Sequence, residues 1–368
     1  MDELNTSPHV DNMPASGRQS RVRLSGADVR TFILENVGKH PKQINSVTAA
    51  QFGITRQAVH KHLQRLVAEK ALLSEGNTRD KSYRLASLSE WRHVYHITPE
   101  SAEDQVWSRD VSPVLGELPH NVMDIWHYCF TEMFNNAIDH SAGSEIFVKV
   151  VRTAANTQIV LMDNGVGIFK KIQRALNLLD ERHAILELAK GKLTTDPERH
   201  TGQGIFFSSR LVDSFDIVSG GVFFTHQFGS EVDGILEVPE NGEGTTVFMK
   251  LNNHSSRTDK QIFDQYSSGE DYGFTKTVVP VRLAQYGEDK LISRSQAKRL
   301  LARVERFRSV WFDFDGVESI GQAFADEIFR VFAKSHPEME FVPIRASPEV
   351  QQVINAVRSH WAAETGGI

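Results

Sequence analysis

Glu132 and Asn136 stand four residues apart in the run Phe130-Thr131-Glu132-Met133-Phe134-Asn135-Asn136-Ala137-Ile138-Asp139-His140. On a helix that spacing puts both side chains on one face, a turn from each other. The pair suits phosphate chemistry. A carboxamide oxygen can ligate a hard cation such as Mg²⁺, while the carboxylate orients or deprotonates a nucleophile. Asp163-Asn164-Gly165-Val166-Gly167 adds a carboxylate beside glycines that allow a tight turn and close backbone approach to a ligand. Thr201-Gly202-Gln203-Gly204-Ile205 offers backbone N–H groups to phosphates, and Gly242-Glu243-Gly244-Thr245-Thr246 is a fourth glycine box.

These boxes need elements to hold them. Ile125, Cys129, Met133, Phe134, Ala137 and Ile138 recur at three- and four-residue spacing, which predicts a helix under the first box. Gln158 to Met162 reads as a strand delivering Asp163, Phe206 to Val212 as a helix opened by the third box, and Val247 to Leu251 as a strand entered from the fourth.

Four boxes in this order, on helix, strand–turn, loop–helix and loop–strand, resemble the ATP-binding domain of the GHKL superfamily, to which gyrases and histidine kinases belong. The resemblance covers about residues 115–252, with the domain placed at 119–252. It implies a two-layer α/β sandwich holding ATP under a lid, with Glu132 as catalytic carboxylate and Asn136 as Mg²⁺ ligand. Asp163 becomes the acceptor for the adenine amino group, Gly165 and Gly167 shape the adenine-side loop, Gly202 and Gly204 line the phosphates, and Thr245 supports the base pocket. Many histidine kinases and anti-sigma kinases carry Lys or Arg where this chain has Asp139, so the phosphate contact expected there must come from elsewhere. Between Ile168 and His200, the interval of the lid, Ile172, Leu176 and Leu179, then Ile185, Leu186 and Leu188, predict two helices before a basic connection. Lys192, Arg199 and His200 on that connection are the candidates for the missing cation.

A chain of 368 residues has room for two or three domains, and 40% apolar with 24% charged residues is ordinary for a globular protein. No apolar run approaches membrane-spanning length, the first twenty residues lack a hydrophobic segment, and Cys129 is the single cysteine, which points to a reducing, cytoplasmic setting without a membrane partner. Cys129 falls on the apolar face of its helix, a packing position. The net charge of −6 conceals an asymmetry: Gly17 to Arg84 carries 13 Lys and Arg against 5 Asp and Glu, which leaves the rest strongly acidic. A basic domain on an acidic chain suggests a local polyanion partner.

Residues 1–20 are polar and expected to be disordered. Within 21–90, helices over Ser25 to Asn36, Ser46 to Gln51 and Arg56 to Lys70 precede a polar hairpin, Glu75 to Lys81. This order resembles a winged helix-turn-helix domain. Arg56, Gln57, His60 and Lys61 on the outer face of the third helix are candidates for DNA base edges, and Arg79 and Lys81 on the wing for phosphates. His60 and His62 lie two apart on a helix and diverge, so they do not form a metal site. Residues 91–118 are a connector, with Trp91, Tyr95 and Trp107 leaving open that it packs as an extra strand or arm, and 253–275, hydrophilic and serine-rich, is a linker.

Residues 276–368 alternate strands and helices: Thr277 to Leu283, Ser293 to Phe307, Ser309 to Phe314, Gln322 to Lys334, Glu340 to Ile344 and Pro348 to Trp361. The segment Trp311 to Glu327 resembles the central strand–loop–helix of STAS domains, and more closely a STAS-like domain fused behind GHKL ATPases. Where antagonists of that fold place a phosphorylatable serine, this chain has Gln322 and Ala323. The fold class is multidomain α/β: a mostly helical winged helix, a GHKL sandwich and a small STAS-like domain. Three functions stay open. One is an ATP- and Mg²⁺-dependent ATPase switch that governs binding of DNA or a protein partner, with ATP-dependent homodimerisation. The second is an anti-sigma-type serine kinase, and the third a transcription regulator that senses nucleotide without hydrolysing it.

Overall fold

The computed structural model describes residues 26–77, 80–193, 202–229, 234–239, 242–267, 273–285 and 290–365. The polar N-terminus, Arg79, Arg199 and His200 lie outside the described residues. Two compact units divide between Arg84 and Leu85.

The first unit follows its apolar spacing. α1 (Gly26–Asn36) buries Val29 and Ile33, α2 (Ile44–Phe52) buries Ile44, and α3 (Arg56–Ala68) buries Val59, Leu63 and Leu66. Gly53, at φ 62°, ends α2 in the left-handed conformation that glycine adopts without steric cost. The Thr55 hydroxyl then caps α3, accepting the Ala58 N–H at 3.2 Å. β1 (Leu72–Glu75) and β2 (Ser82–Leu85) form a two-stranded sheet, tied back where the Tyr83 N–H donates to Pro41 O at 2.9 Å. The element order is the one the sequence predicts.

Of the readings left open for 91–118, the structure has the extra strand, followed by helical turns. β3 (Ser87–His96) is the edge strand of a seven-stranded sheet and pairs antiparallel with β4 (Glu145–Thr153). Trp91 and Tyr95 turn toward the core, and the Tyr95 hydroxyl donates to Asp110 at 2.6 Å. α4 (Glu103–Val106), a π-helical turn over Trp107–Val111 and α5 (Ser112–Leu115) make one bent run that buries Trp107, Val111 and Leu115. The 21-residue α6 (His120–His140) follows. The remaining strands are β5 (Asn156–Asp163), β6 (Ser214–Ser219), β7 (Val222–Gln227), β8 (Gly234–Glu237) and β9 (Thr245–Asn252), in sheet order β3-β4-β5-β9-β6-β7-β8 with antiparallel pairing throughout. α7 (Ile168–Leu176), α8 (Arg182–Lys190) and α9 (Gly204–Leu211) complete the sandwich with α6. Strand alternation explains the layering: β4 buries Ile146, Val148 and Val150 and leaves the residues between them more open.

The linker expected at 253–275 contains a helix. α10 (Asp259–Tyr266) is opened by a reciprocal cap between Thr258 and Gln261 and buries Ile262. Beyond it, β10 (Lys276–Pro280), β11 (Ser309–Asp313) and β12 (Glu340–Ile344) form a parallel sheet in that order. Parallel strands need crossovers, here α11 (Arg294–Leu301) and the run made of α12 (Gln322–Asp326), a π-helical stretch Glu327–Phe332 and α13 (Ala333–Ser335); α14 (Pro348–Thr365) follows the last strand. The helix expected to reach Phe307 stops at Leu301, because Arg303 turns left-handed (φ 62°) before a 3₁₀ turn at Val304–Arg306.

Candidate nucleotide site

The antiparallel register sets one end of the site. Asp163, the last residue of β5, lies opposite Thr245, the first of β9, and Thr245 lies in turn opposite Ser219 at the end of β6. Asp163 is 8% exposed, and its Oδ1 accepts the Gly165 N–H at 2.9 Å. Burial pushes its carboxyl above the usual carboxylate range, against the opposing pull of hydrogen bonds from Gly165 and Thr245. The Thr245 hydroxyl also accepts the Ile168 N–H at 3.0 Å, so it holds the start of α7 against the sheet. A methyl group at Gly165 would overlap Ser141 O, and Gly167, at φ 92°, leads directly into α7. Asn164 serves the fold, accepting the Ser144 and Glu145 N–H groups at 2.8 and 3.1 Å.

α6 supplies the other end. Glu132 and Asn136 are half-buried on the face turned toward α9, and both line a cavity of about 260 Å³ with Asp163, Gly167 and Thr245. The apolar floor is Leu161, Ile217 and Val247 from three neighbouring strands. Gly202, Gln203 and Gly204 close the far side, and a methyl group at Gly204 would overlap the Glu132 carboxylate, so that carboxylate sits directly on the backbone that opens α9. Any side chain at that position would have to displace the Glu132 carboxylate. Leu188 and Leu193 form the remaining wall, and the Leu193 N–H donates to Gly202 O at 3.0 Å.

The structure thus brings Glu132, Asn136, Asp163, Gly167, Gly202, Gly204 and Thr245 to one cavity, with Gly165 packed on Ser141 just behind it. It does not bring Lys192 there. The Lys192 ammonium donates to Arg306 O at 2.8 Å and lies over the Phe307 ring at 4.7 Å, drawn away by the C-terminal domain. Asp139 is exposed and outside the lining, whereas Lys171 of α7 lines the cavity and donates to His140 O at 2.7 Å. Lys171 was legible only as a basic residue beside the apolar Ile168 and Ile172; nothing in its spacing pointed inward. Cys129 is fully buried, its thiol pushed up to about 12 by desolvation, and so has the packing role its position predicts.

In the first unit, Arg56, Gln57 and Lys61 are exposed on α3 and His60 is half-buried beside them. Lys81 leans over the Tyr83 ring, its ammonium 5.6 Å from the centroid. Among the described residues no group of three or more His, Cys, Asp or Glu is placed to hold a metal ion, and no helix is long and apolar enough to cross a membrane.

Comparison with known families agrees with this geometry. Residues 122–255 match the family of histidine kinase-, DNA gyrase B-, and HSP90-like ATPases. Residues 296–351 match a STAS-like domain of unknown function. No curated protein matches the chain.

Proposed function

From the premise that this chain carries a histidine kinase-, gyrase B- and HSP90-like ATPase domain followed by a STAS-like domain, we propose that it is an ATP-driven regulatory switch. The observation that carries the reading is the convergence, in one cavity, of a buried carboxylate at one end and a carboxylate, a carboxamide and a glycine-lined helix start at the other.

In this reading Asp163 accepts a hydrogen bond from the adenine amino group, and the floor of Leu161, Ile217 and Val247 takes the flat face of the base. The backbone at Gly202–Gly204 receives phosphate oxygens, since N–H groups at a helix start remain unpaired within the helix. The Asn136 carboxamide oxygen is the protein ligand for Mg²⁺, which when bound supplies charge neutralisation on the phosphates. Glu132 takes a proton from water as the water oxygen bonds to the γ-phosphorus. The bond from that phosphorus to the β–γ bridging oxygen breaks, and ADP carries away the electron pair.

In the same reading the first unit is a winged helix that meets DNA through Arg56, Gln57, His60 and Lys61 with Lys81 on the wing, and the STAS-like domain receives a protein partner. For the switch to operate, ATP must bind one conformation of the protein more tightly than another.

The deciding experiment follows γ-labelled phosphate from Mg-ATP on the wild type and on Glu132→Ala. Label released as free phosphate, and at least about 100-fold slower in the variant, is the expected result. Label retained on the protein or passed to a partner makes this a kinase, and equal release from both proteins removes Glu132 as the base.

A further inference from the structure

Helix α8 and the chain leaving it form one wall of the cavity through Leu188 and Leu193. The same stretch is held from behind by the C-terminal domain. Lys190 is 1% exposed, and its ammonium finds one acceptor for each of its three protons: Glu187 Oε1 at 2.9 Å, Arg299 O at 3.2 Å and Ala302 O at 2.8 Å. Two of these are carbonyls at the C-terminal end of α11, where a helix concentrates partial negative charge; Arg299 O also accepts the Ala302 N–H at 3.3 Å. The other oxygen of Glu187 receives the Arg303 guanidinium at 3.1 Å. Arg303 is the residue held at φ 62°, a backbone state unusual for a side chain of its size.

Further bonds secure the exit from α8. The buried Thr277 hydroxyl of β10 donates to Lys190 O at 2.7 Å. Arg306 and Lys192 each donate to the other's carbonyl at 2.8 Å. Gly191, at φ 80°, lets the chain pass between the rings of Phe206 and Phe274, where a methyl group would lie 2.9 and 2.7 Å from them. Phe206 itself lines the cavity, packs on Phe274 at 4.6 Å between centroids, and through it reaches Phe307 at 5.2 Å. Replacing a buried ion pair by apolar residues of similar volume is often neutral for stability. A buried charge set that is satisfied in a single register instead fixes geometry.

We propose that Lys190 is a positioning residue for the nucleotide site: together with Glu187, Arg303 and the end of α11 it fixes the wall made by Leu188 and Leu193, so that the C-terminal domain sets how long nucleotide is retained. Thermodynamic linkage makes the coupling mutual. A protein partner that displaces α11 changes nucleotide affinity, and nucleotide changes affinity for that partner by the same factor. The retention half of the proposal rests on the ATP-site reading; the positioning half does not.

The test uses the full-length chain with Lys190→Met, Lys190→Arg and Arg303→Gln. Arg303 is partly exposed, so its variant keeps the test available if Lys190→Met does not fold. One readout is hydrogen exchange at the Leu193 amide, with the Leu161 amide of β5 as a control for general destabilisation; the other is the dissociation rate of a fluorescent ADP. Lys190→Met and Arg303→Gln are expected to speed both Leu193 exchange and ADP release by about tenfold with Leu161 unchanged, and Lys190→Arg to recover part of each. Wild-type exchange at Leu193 in folded variants overturns the proposal, as does unchanged ADP release. Faster exchange in a protein that binds no adenine nucleotide keeps the positioning role and removes the ATP-site reading.

Discussion

If Asp163 receives the adenine amino group as proposed, it carries opposite demands of folding and binding in one side chain. Burial raises its carboxyl, so the folded state favours the protonated form. The sign follows: whatever stability Asp163 contributes is present below the ordinary carboxylate range and is lost as pH rises through its raised value. At neutral pH the buried charge therefore weighs against the nucleotide-free fold. Asp163→Asn keeps an acceptor for the Gly165 N–H and removes that charge, so the free protein is expected to melt at a higher temperature than wild type at pH 7. The same variant is expected to lose at least about tenfold in adenine-nucleotide affinity, since it exchanges a charged acceptor for a neutral one. Wild-type affinity should rise with pH through the titration of Asp163, and the variant's should not. Calorimetric titration across that range, paired with thermal melts, checks all three. A higher melting temperature with unchanged affinity would separate Asp163 from the adenine.

At the scale of elements, the site exists because β9 is inserted between β5 and β6. That insertion brings Asp163, Thr245 and Ser219, which are far apart in the chain, to one sheet end. Local patterns located several elements well: α6, α8 and β12 lie where their periodicity places them, whereas α7 ends at Leu176 and leaves Leu179, counted in its apolar stripe, exposed. They were indecisive where the apolar pattern was mixed. β3 alternates Trp91, His93 and Tyr95 with Arg92 and the exposed Val94 and joins the sheet as an edge, a role that needs only one apolar face. α10 hides in a hydrophilic stretch, and its start is marked by Thr258 and Gln261 rather than by hydrophobic residues. Because that reciprocal cap pairs two helix-end groups, Thr258→Ala is expected to cost about 1 kcal/mol, read as a lower denaturant midpoint with unchanged slope. A shift below about 0.3 kcal/mol would mean that Phe263 and Tyr266, which pack on the core, hold α10 without its cap.

The whole molecule divides between Arg84 and Leu85, and the charge divides with it. A basic unit of three helices and a hairpin precedes an acidic remainder that contains every lining residue of the nucleotide cavity. Residues 85–368 produced alone are therefore expected to bind adenine nucleotide within about twofold of the full chain, because a unit with its own core does not depend on its neighbour to shape the site. DNA affinity should depend on the first unit, fall steeply with salt, and lose about one unit of salt slope in Lys81→Ala if that side chain meets a phosphate. Affinity without salt dependence, or affinity kept by residues 85–368, would remove the DNA role from α3.

Residue types and their spacing determined the chemistry on offer: a carboxylate and a carboxamide one helical turn apart, an aspartate beside glycines, and two further glycine boxes. Those are local facts, because backbone geometry alone decides which neighbours share a helix face or allow a tight turn. The cavity itself depended on strand order, which is a non-local choice. So did the inward turn of Lys171, which exchanges solvent for the His140 carbonyl, and the outward turn of Lys192, which Arg306 and Phe307 hold against the C-terminal domain. A lysine's reach and charge are written in the sequence; which acceptor it meets is decided only when distant segments pack together.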